Sequence, residues 1–187
     1  MLVNRIGKIM KLGALTLLLS SCHSATQSKQ FTPVPYFDNG DGTVTDIQTN
    51  LTWQRCSVGQ LWTEETCIGE PTFFTWDDAM QQAKDGWRLP TVDELDTLVL
   101  CSNGQRTPSV RPNGKFARET NGKCPGSNPL PTINRWAFPN TPTIWYWSSS
   151  SYAEDSGVAW VVGFGNGNVY NNSKFNDYHV RLVSTGH

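Results

Sequence analysis

Gly86-Trp87-Arg88-Leu89-Pro90-Thr91-Val92-Asp93-Glu94-Leu95 is the stretch from which the fold can be read outward. Pro90 sets the approach to a helix, and Thr91 with Glu94 has capping-box spacing, a hydroxyl followed three residues later by a carboxylate. A helix opening there turns Leu95, Leu98 and Val99 inward. Upstream, Thr75-Trp76-Asp77-Asp78 repeats the signal. It predicts a short helix with Trp76, Ala79, Met80 and Ala83 on one face, ending near Gly86. The carboxylates Asp77, Asp78, Asp93 and Glu94 fall in first turns, where the helix dipole favours them. Capping accounts for them without any acid–base chemistry.

On the N-terminal side, Phe37 to Asp46 carries Asn39-Gly40 and Asp41-Gly42, hairpin signals because these residues tolerate positive φ. Leu51-Thr52-Trp53-Gln54-Arg55 alternates apolar and polar and follows a turn at Thr49-Asn50. The acidic loop departs from calcium-loop spacing, with no closing carboxylate, so it reads as a plain turn. On the C-terminal side, Trp145 onward reads as sheet. Val158 to Phe164 is the central strand, Gly165-Asn166-Gly167-Asn168 the turn, Val169 the return, and Tyr178 to Val183 the end of the fold. Strands at both ends with helices between predict an α+β domain with neighbouring termini, having two short helices, antiparallel sheet and long loops.

The chain has 187 residues, of which 37% are hydrophobic and 17% charged, with 8 tryptophans and a formal net charge of -1. This excludes disordered, collagen-like, coiled-coil and polytopic membrane chains. Arg5, Lys8 and Lys11 precede the apolar run Leu12 to Leu19, which is too short to span a bilayer. Leu19-Ser20-Ser21-Cys22 resembles the bacterial lipobox. That resemblance implies residues 1–21 as signal peptide, acylation of Cys22, and residues 22–35 as a flexible tether ahead of a domain at 36–187. Several acyl chains anchor stably where one would not. His23 follows the cysteine where an aspartate would favour the inner membrane, so the expected location is the cell envelope, at the outer membrane.

Cys56, Cys67, Cys101 and Cys124 remain, an even number in an exported chain, and predict two disulfides. Of the three pairings, Cys56–Cys67 with Cys101–Cys124 closes the shortest loops. No Cys-x-x-Cys occurs and histidines are few, so neither a metal nor a cofactor is expected. Seven of the 11 prolines lie between Cys101 and Thr143, which reads as a long loop region. Residues 101–135 hold Arg106, Arg111, Lys115, Arg118, Lys123 and Arg135 against Glu119 alone, a net of +5. Once Arg5, Lys8 and Lys11 are removed, 12 of the 15 basic residues face 16 acidic ones, a net of -4. A cationic loop on an acidic body can attract an anionic partner.

Six separated motifs together resemble the C-terminal domain family of the collagen-like adhesin Lcl. They are Asp41 to Asp46, Leu51 to Arg55, Gly86 to Leu95, Phe138 to Pro142, Tyr146 to Ser150 and Val180 to Val183, spanning roughly 36–184. The resemblance implies a C-type-lectin-like fold, close to the formylglycine-generating-enzyme branch but without its catalytic cysteines. It implies binding rather than chemistry, the name-giving adhesin attaching to sulfated glycosaminoglycans. With no collagen-like repeat ahead of the domain in this sequence, the trimer and its avidity are not assumed. Residues 164–183 also resemble the terminal segment of variable proteins diversified by retroelements. Tyr170, Asn171, Asn172, Ser173, Phe175, Asn176, Asp177, Tyr178 and His179 are all reachable from mutated Asn codons, while Lys174 breaks the run.

The candidate ligand-binding residues are therefore Arg111, Lys115, Arg118 and Lys123 in the cationic loop, Trp136 and Trp145, and Tyr170, Asn172, Phe175 and Tyr178. The tyrosines and asparagines suit recognition, giving rigid aromatic area and adaptable hydrogen bonds. Trp62, Trp136 and Trp145 read as loop residues able to stack on a sugar ring; Trp53, Trp87, Trp147 and Trp160 read as core. Arg88 reads as a buried strut. The expected function is an envelope lipoprotein binding a glycan or protein ligand outside the cell or in the periplasm, held to the membrane by its lipid, with no catalytic residue and no nucleic-acid partner. The alternative is a structural or protein-binding envelope component, including a diversified binding protein. No Ser-x-x-Lys or Gly-x-Ser-x-Gly motif argues for an enzyme.

Overall fold

A computed structural model describes residues 35–101, 124 and 126–185. Eleven elements run β1 (Tyr36–Asp38), β2 (Thr43–Asp46), β3 (Leu51–Gln54), β4 (Leu61–Trp62), β5 (Cys67–Ile68), α1 (Trp76–Met80), α2 (Val92–Asp96), β6 (Trp145–Ser151), β7 (Val158–Gly163), β8 (Asn168–Ser173) and β9 (Val183–Ser184). The sheets are β1-β2-β3-β9, β4-β5 and β6-β7-β8, and all their strand pairs are antiparallel. With two short helices between, the architecture is α+β, in three sheets rather than one.

The hairpin signals act as read. Gly40 and Gly42 take φ of 79° and 86°, and Asn50 takes 57° at the next turn. Val44, Leu51 and Trp53 then alternate onto one buried face. β9 returns to pair Val183 with Trp53, so the last strand covers the edge left by the first hairpin.

At α2 the capping box is complete. The Thr91 side chain accepts from the Glu94 N–H, and Glu94 reaches back to the Thr91 N–H at 2.7 Å. Leu95 and Leu98 are buried. α1 is capped by Thr75 but ends at Met80, and Met80 and Ala83 are exposed. Without a second apolar turn to bury, the helix stops early.

The β6-β7-β8 sheet lies between two apolar clusters. Tyr146, Val162 and Val169 join Trp53, Leu95 and Phe138 on one face. Trp147, Ala159 and Val161 join Ala79, Leu89, Val180 and Leu182 on the other. Trp53 and Trp147 are fully buried, whereas Trp87 and Trp160 are only partly covered, which corrects their assignment to the core. Arg88 is also not buried. Its half-exposed guanidinium grips Glu94 through two 2.7 Å bonds. Burial works to raise the Glu94 carboxyl, but the Arg88 bonds and the Thr91 N–H hold it below its ordinary value.

The buried strut is Arg181. It is fully enclosed, donates to the Gln54 and Arg55 carbonyls and to Thr141 Oγ1, and lies over the Phe138 ring. Among the described residues it has no carboxylate partner.

Candidate functional site

Opposed residues in an antiparallel pair share a face. Trp147, Val161 and Tyr170 form one such row, and Trp145, Gly163 and Asn168 the next. The same face continues through Ala159 and Asn172. Over β6 and β7 it is covered by the second cluster; at β8 it runs out into solvent, leaving Tyr170 half-exposed.

Trp145 begins β6, correcting the reading of a loop tryptophan, and its ring lies on Gly163, where a Cβ would come within 2.8 Å. It stands 6.4 Å from the Tyr170 ring. Further along, Asn172 Nδ2 donates to the Tyr178 hydroxyl at 2.6 Å. Asn172 Oδ1 accepts from Asn176 Nδ2 at 2.7 Å and from the Ser173 N–H at 3.0 Å. The amide is thus turned by its own neighbours, and Tyr178 is seated 4.9 Å from Trp147. Burial pushes the Tyr178 hydroxyl above its ordinary value against the opposing Asn176 bond, so it stays neutral while it accepts from Asn172. These side chains are held in place by one another, an arrangement with little left to order.

The turn after β8 is clipped to α1. Lys174 Nζ lies 3.8 Å over the Trp76 ring and donates to Ser151 Oγ, and the Trp76 N–H donates to the Lys174 carbonyl. Phe175 projects from this turn with 88% of its surface exposed. Sequence reasoning named Asn176 in the 170–179 run but did not connect Trp76 with Lys174, because nothing local couples residue 76 to residue 174.

Trp136 belongs to a different place. Arg55, 4% exposed, is sandwiched between Trp62 at 4.3 Å and Trp136 at 5.1 Å, and donates to Asp38 at 2.7 Å. Trp62 lies in β4 and is partly covered, again not a loop residue. Beside it a cleft of about 680 Å³ opens between the β4-β5 hairpin and residues 130–142. Gln60, Glu70, Arg135 and Asn140 supply its polar lining. No spacing rule could have found it, since its walls are some 70 residues apart in sequence.

Both disulfides join neighbours in sequence, Cys56 to Cys67 and Cys101 to Cys124. Cys22, Arg111, Lys115, Arg118 and Lys123 lie outside the described residues. The staple closing that cationic segment is itself placed. The Cys124 N–H donates to the Asn166 carbonyl in the β7-β8 turn, and a Cβ on Gly167 would meet Cys124 Sγ at 3.0 Å. The base of the loop therefore adjoins the start of β8, at the opposite end of that strand from Phe175.

No group of three or more His, Cys, Asp or Glu is placed to hold a metal among the described residues. Two of three comparisons with known proteins found nothing: no curated protein and no solved structure matches the chain. The third is positive. The family model of the Lcl C-terminal domain matches residues 42–184, from the first hairpin turn to β9, and the chain belongs to that family.

Proposed function

We propose that this protein is a non-catalytic envelope lipoprotein whose C-type-lectin-like domain binds a ligand, a glycan in the leading reading, through the exposed face of β8. The observation that carries it is the pre-set group of Trp145, Tyr170, Asn172, Asn176 and Tyr178, aromatic faces beside oriented amides. Such a surface offers CH–π stacking and paired hydrogen bonds, the two contacts a sugar ring can use. The lectin-like branch is supported by the two helices, the two disulfides and a final strand that returns to the first sheet. Membership of the Lcl C-terminal domain family supports binding over chemistry. Export, acylation at Cys22 and an outer-membrane location rest on the lipobox-like stretch.

A second reading, attachment to a protein, is favoured by Phe175, whose exposed ring suits an apolar pocket better than a sugar. The test is retention of the whole chain, carrying Cys22→Ser, on a glycan array and on heparin. Loss of retention with Tyr170→Ala places the site on β8. Loss only when Arg111, Lys115, Arg118 and Lys123 are changed to Glu moves it to the cationic loop. No retention of the unaltered domain on either support rejects the glycan reading.

A further inference from the structure

Away from β8, the cleft between the β4-β5 hairpin and residues 130–142 holds two charges that no described ion pair uses. At about 680 Å³ it has the size of a small-ligand site, for which roughly 300–1,000 Å³ is usual. Its walls are fixed by their own bonds. The Cys56–Cys67 disulfide ties the hairpin to the chain just after β3. Asn140 Nδ2 donates to the Cys67 carbonyl at 2.7 Å, and Gln60 Nε2 to the Gly69 and Asn140 carbonyls, both at 3.3 Å. Each wall thus hangs on the other. Gln60 Oε1 is taken by the Ser57 N–H, whereas Asn140 Oδ1 accepts from no described residue.

The two charges come from opposite walls and have opposite sign. Glu70 follows the hairpin, and Arg135 belongs to the proline-rich stretch. Both are exposed. A second cation lies behind the Arg135 wall. Arg181 is fully enclosed and donates to Thr141 Oγ1, and Thr141 lines the cleft. Among the described residues Arg181 has no carboxylate to neutralise it, so its field adds to that of Arg135. A cleft between walls of low dielectric concentrates such a field. Between the charges the surface is apolar, with half-exposed Ile68 on one wall and Leu130 on the other.

We propose that this cleft binds a short peptide with free ends, its carboxylate at Arg135 and its ammonium at Glu70. Aliphatic side chains of the peptide lie against Ile68 and Leu130, and Asn140 Oδ1 accepts from a peptide N–H. A purely anionic ligand is repelled by Glu70 and a purely cationic one by Arg135, whereas a zwitterion satisfies both walls. The planar guanidinium also matches a carboxylate with two parallel bonds. This site is separate from the β8 face and does not depend on what that face binds.

The test titrates the whole chain, carrying Cys22→Ser, with two- to four-residue peptides of alanine and leucine, followed by amide chemical shifts. Saturable shifts are expected at Ile68, Gly69 and Leu130, with none at Tyr170 and Asn172. Acetylating the peptide amine or amidating its carboxylate should each weaken binding by roughly tenfold or more. Glu70→Gln should abolish the penalty of acetylation alone, and Arg135→Gln that of amidation alone. A misfolded variant could not give that pairing. No saturable shift with any of the free peptides overturns the proposal. So do shifts confined to β8, binding indifferent to both blocking groups, or variants that leave both penalties unchanged.

Discussion

Arg181 Nη2 donates to Thr141 Oγ1 at 2.8 Å, tying the last segment of the chain to the proline-rich stretch ahead of β6. The same guanidinium serves the Gln54 and Arg55 carbonyls at the end of β3. Three chain segments thus meet on one planar group, whose fixed fork of donors suits several acceptors at once.

Removing that group leaves buried acceptors bare. Arg181→Ala is expected to destabilise by about 3–5 kcal/mol, from unsatisfied carbonyls and an emptied volume. Arg181→Lys should recover less than half, since one ammonium cannot reach all three segments. Urea unfolding midpoints read both, and an Arg181→Ala midpoint equal to that of the unaltered chain refutes the account.

The Tyr178 hydroxyl holds the Asn172 amide by a single 2.6 Å bond. Tyr178→Phe keeps the ring against Trp147 and removes that bond. Stability should change by about 1 kcal/mol at most. Retention on whichever array glycan the unaltered domain binds should fall by roughly tenfold. A variant that binds as before excludes Asn172 and Tyr178 from recognition.

His179 is buried against the rings of Phe73 and Tyr146, with Nδ1 donating to the Thr72 carbonyl at 2.9 Å. Burial is the largest influence and lowers its pKa from 6.5; the Thr72 bond and Glu70 oppose it without prevailing. The folded state therefore favours neutral imidazole. Its contribution is whole above the unfolded value of 6.5 and is lost as pH falls through the lower folded value. Melting temperature should drop on acidification through this window, and His179→Gln should flatten that slope. An unchanged slope assigns the acid sensitivity to another group.

Cys101 and Cys124 are both buried, in the cluster that contains Val99 and Val169, and their bond spans 23 residues. Replacing both by alanine should cost about 3 kcal/mol through the freed unfolded chain. Heparin retention should fall as well if the cationic segment is the site, because its base would no longer be held at the Asn166 turn. Calorimetry and column elution separate the two effects.

What could be read from sequence was what local chemistry dictates. Thr91 and Glu94 announce α2 because a cap and its reciprocal bond lie within one turn. Gly40, Gly42 and Asn50 announce turns because positive φ restricts the choice of residue. Short loop closure likewise gave the disulfide pairing. What could not be read depends on distant chain. Nothing in the sequence near Arg88 says that Glu94 would draw it outward while Arg181 took the buried place. Met80 and Ala83 follow a helical spacing that ends before reaching them. Of the candidate binding residues, Trp145, Tyr170, Asn172 and Tyr178 converge because strand register brings them together, whereas Trp136 goes to Arg55.

The pairing of Val183 with Trp53 has a consequence for biosynthesis. Val183 lies 130 residues beyond Trp53 in the chain, so this fully buried indole gains its cover from β9 only after all the intervening sequence has been made. A product cut short between Trp53 and Val183 would leave that ring open to proteases and chaperones.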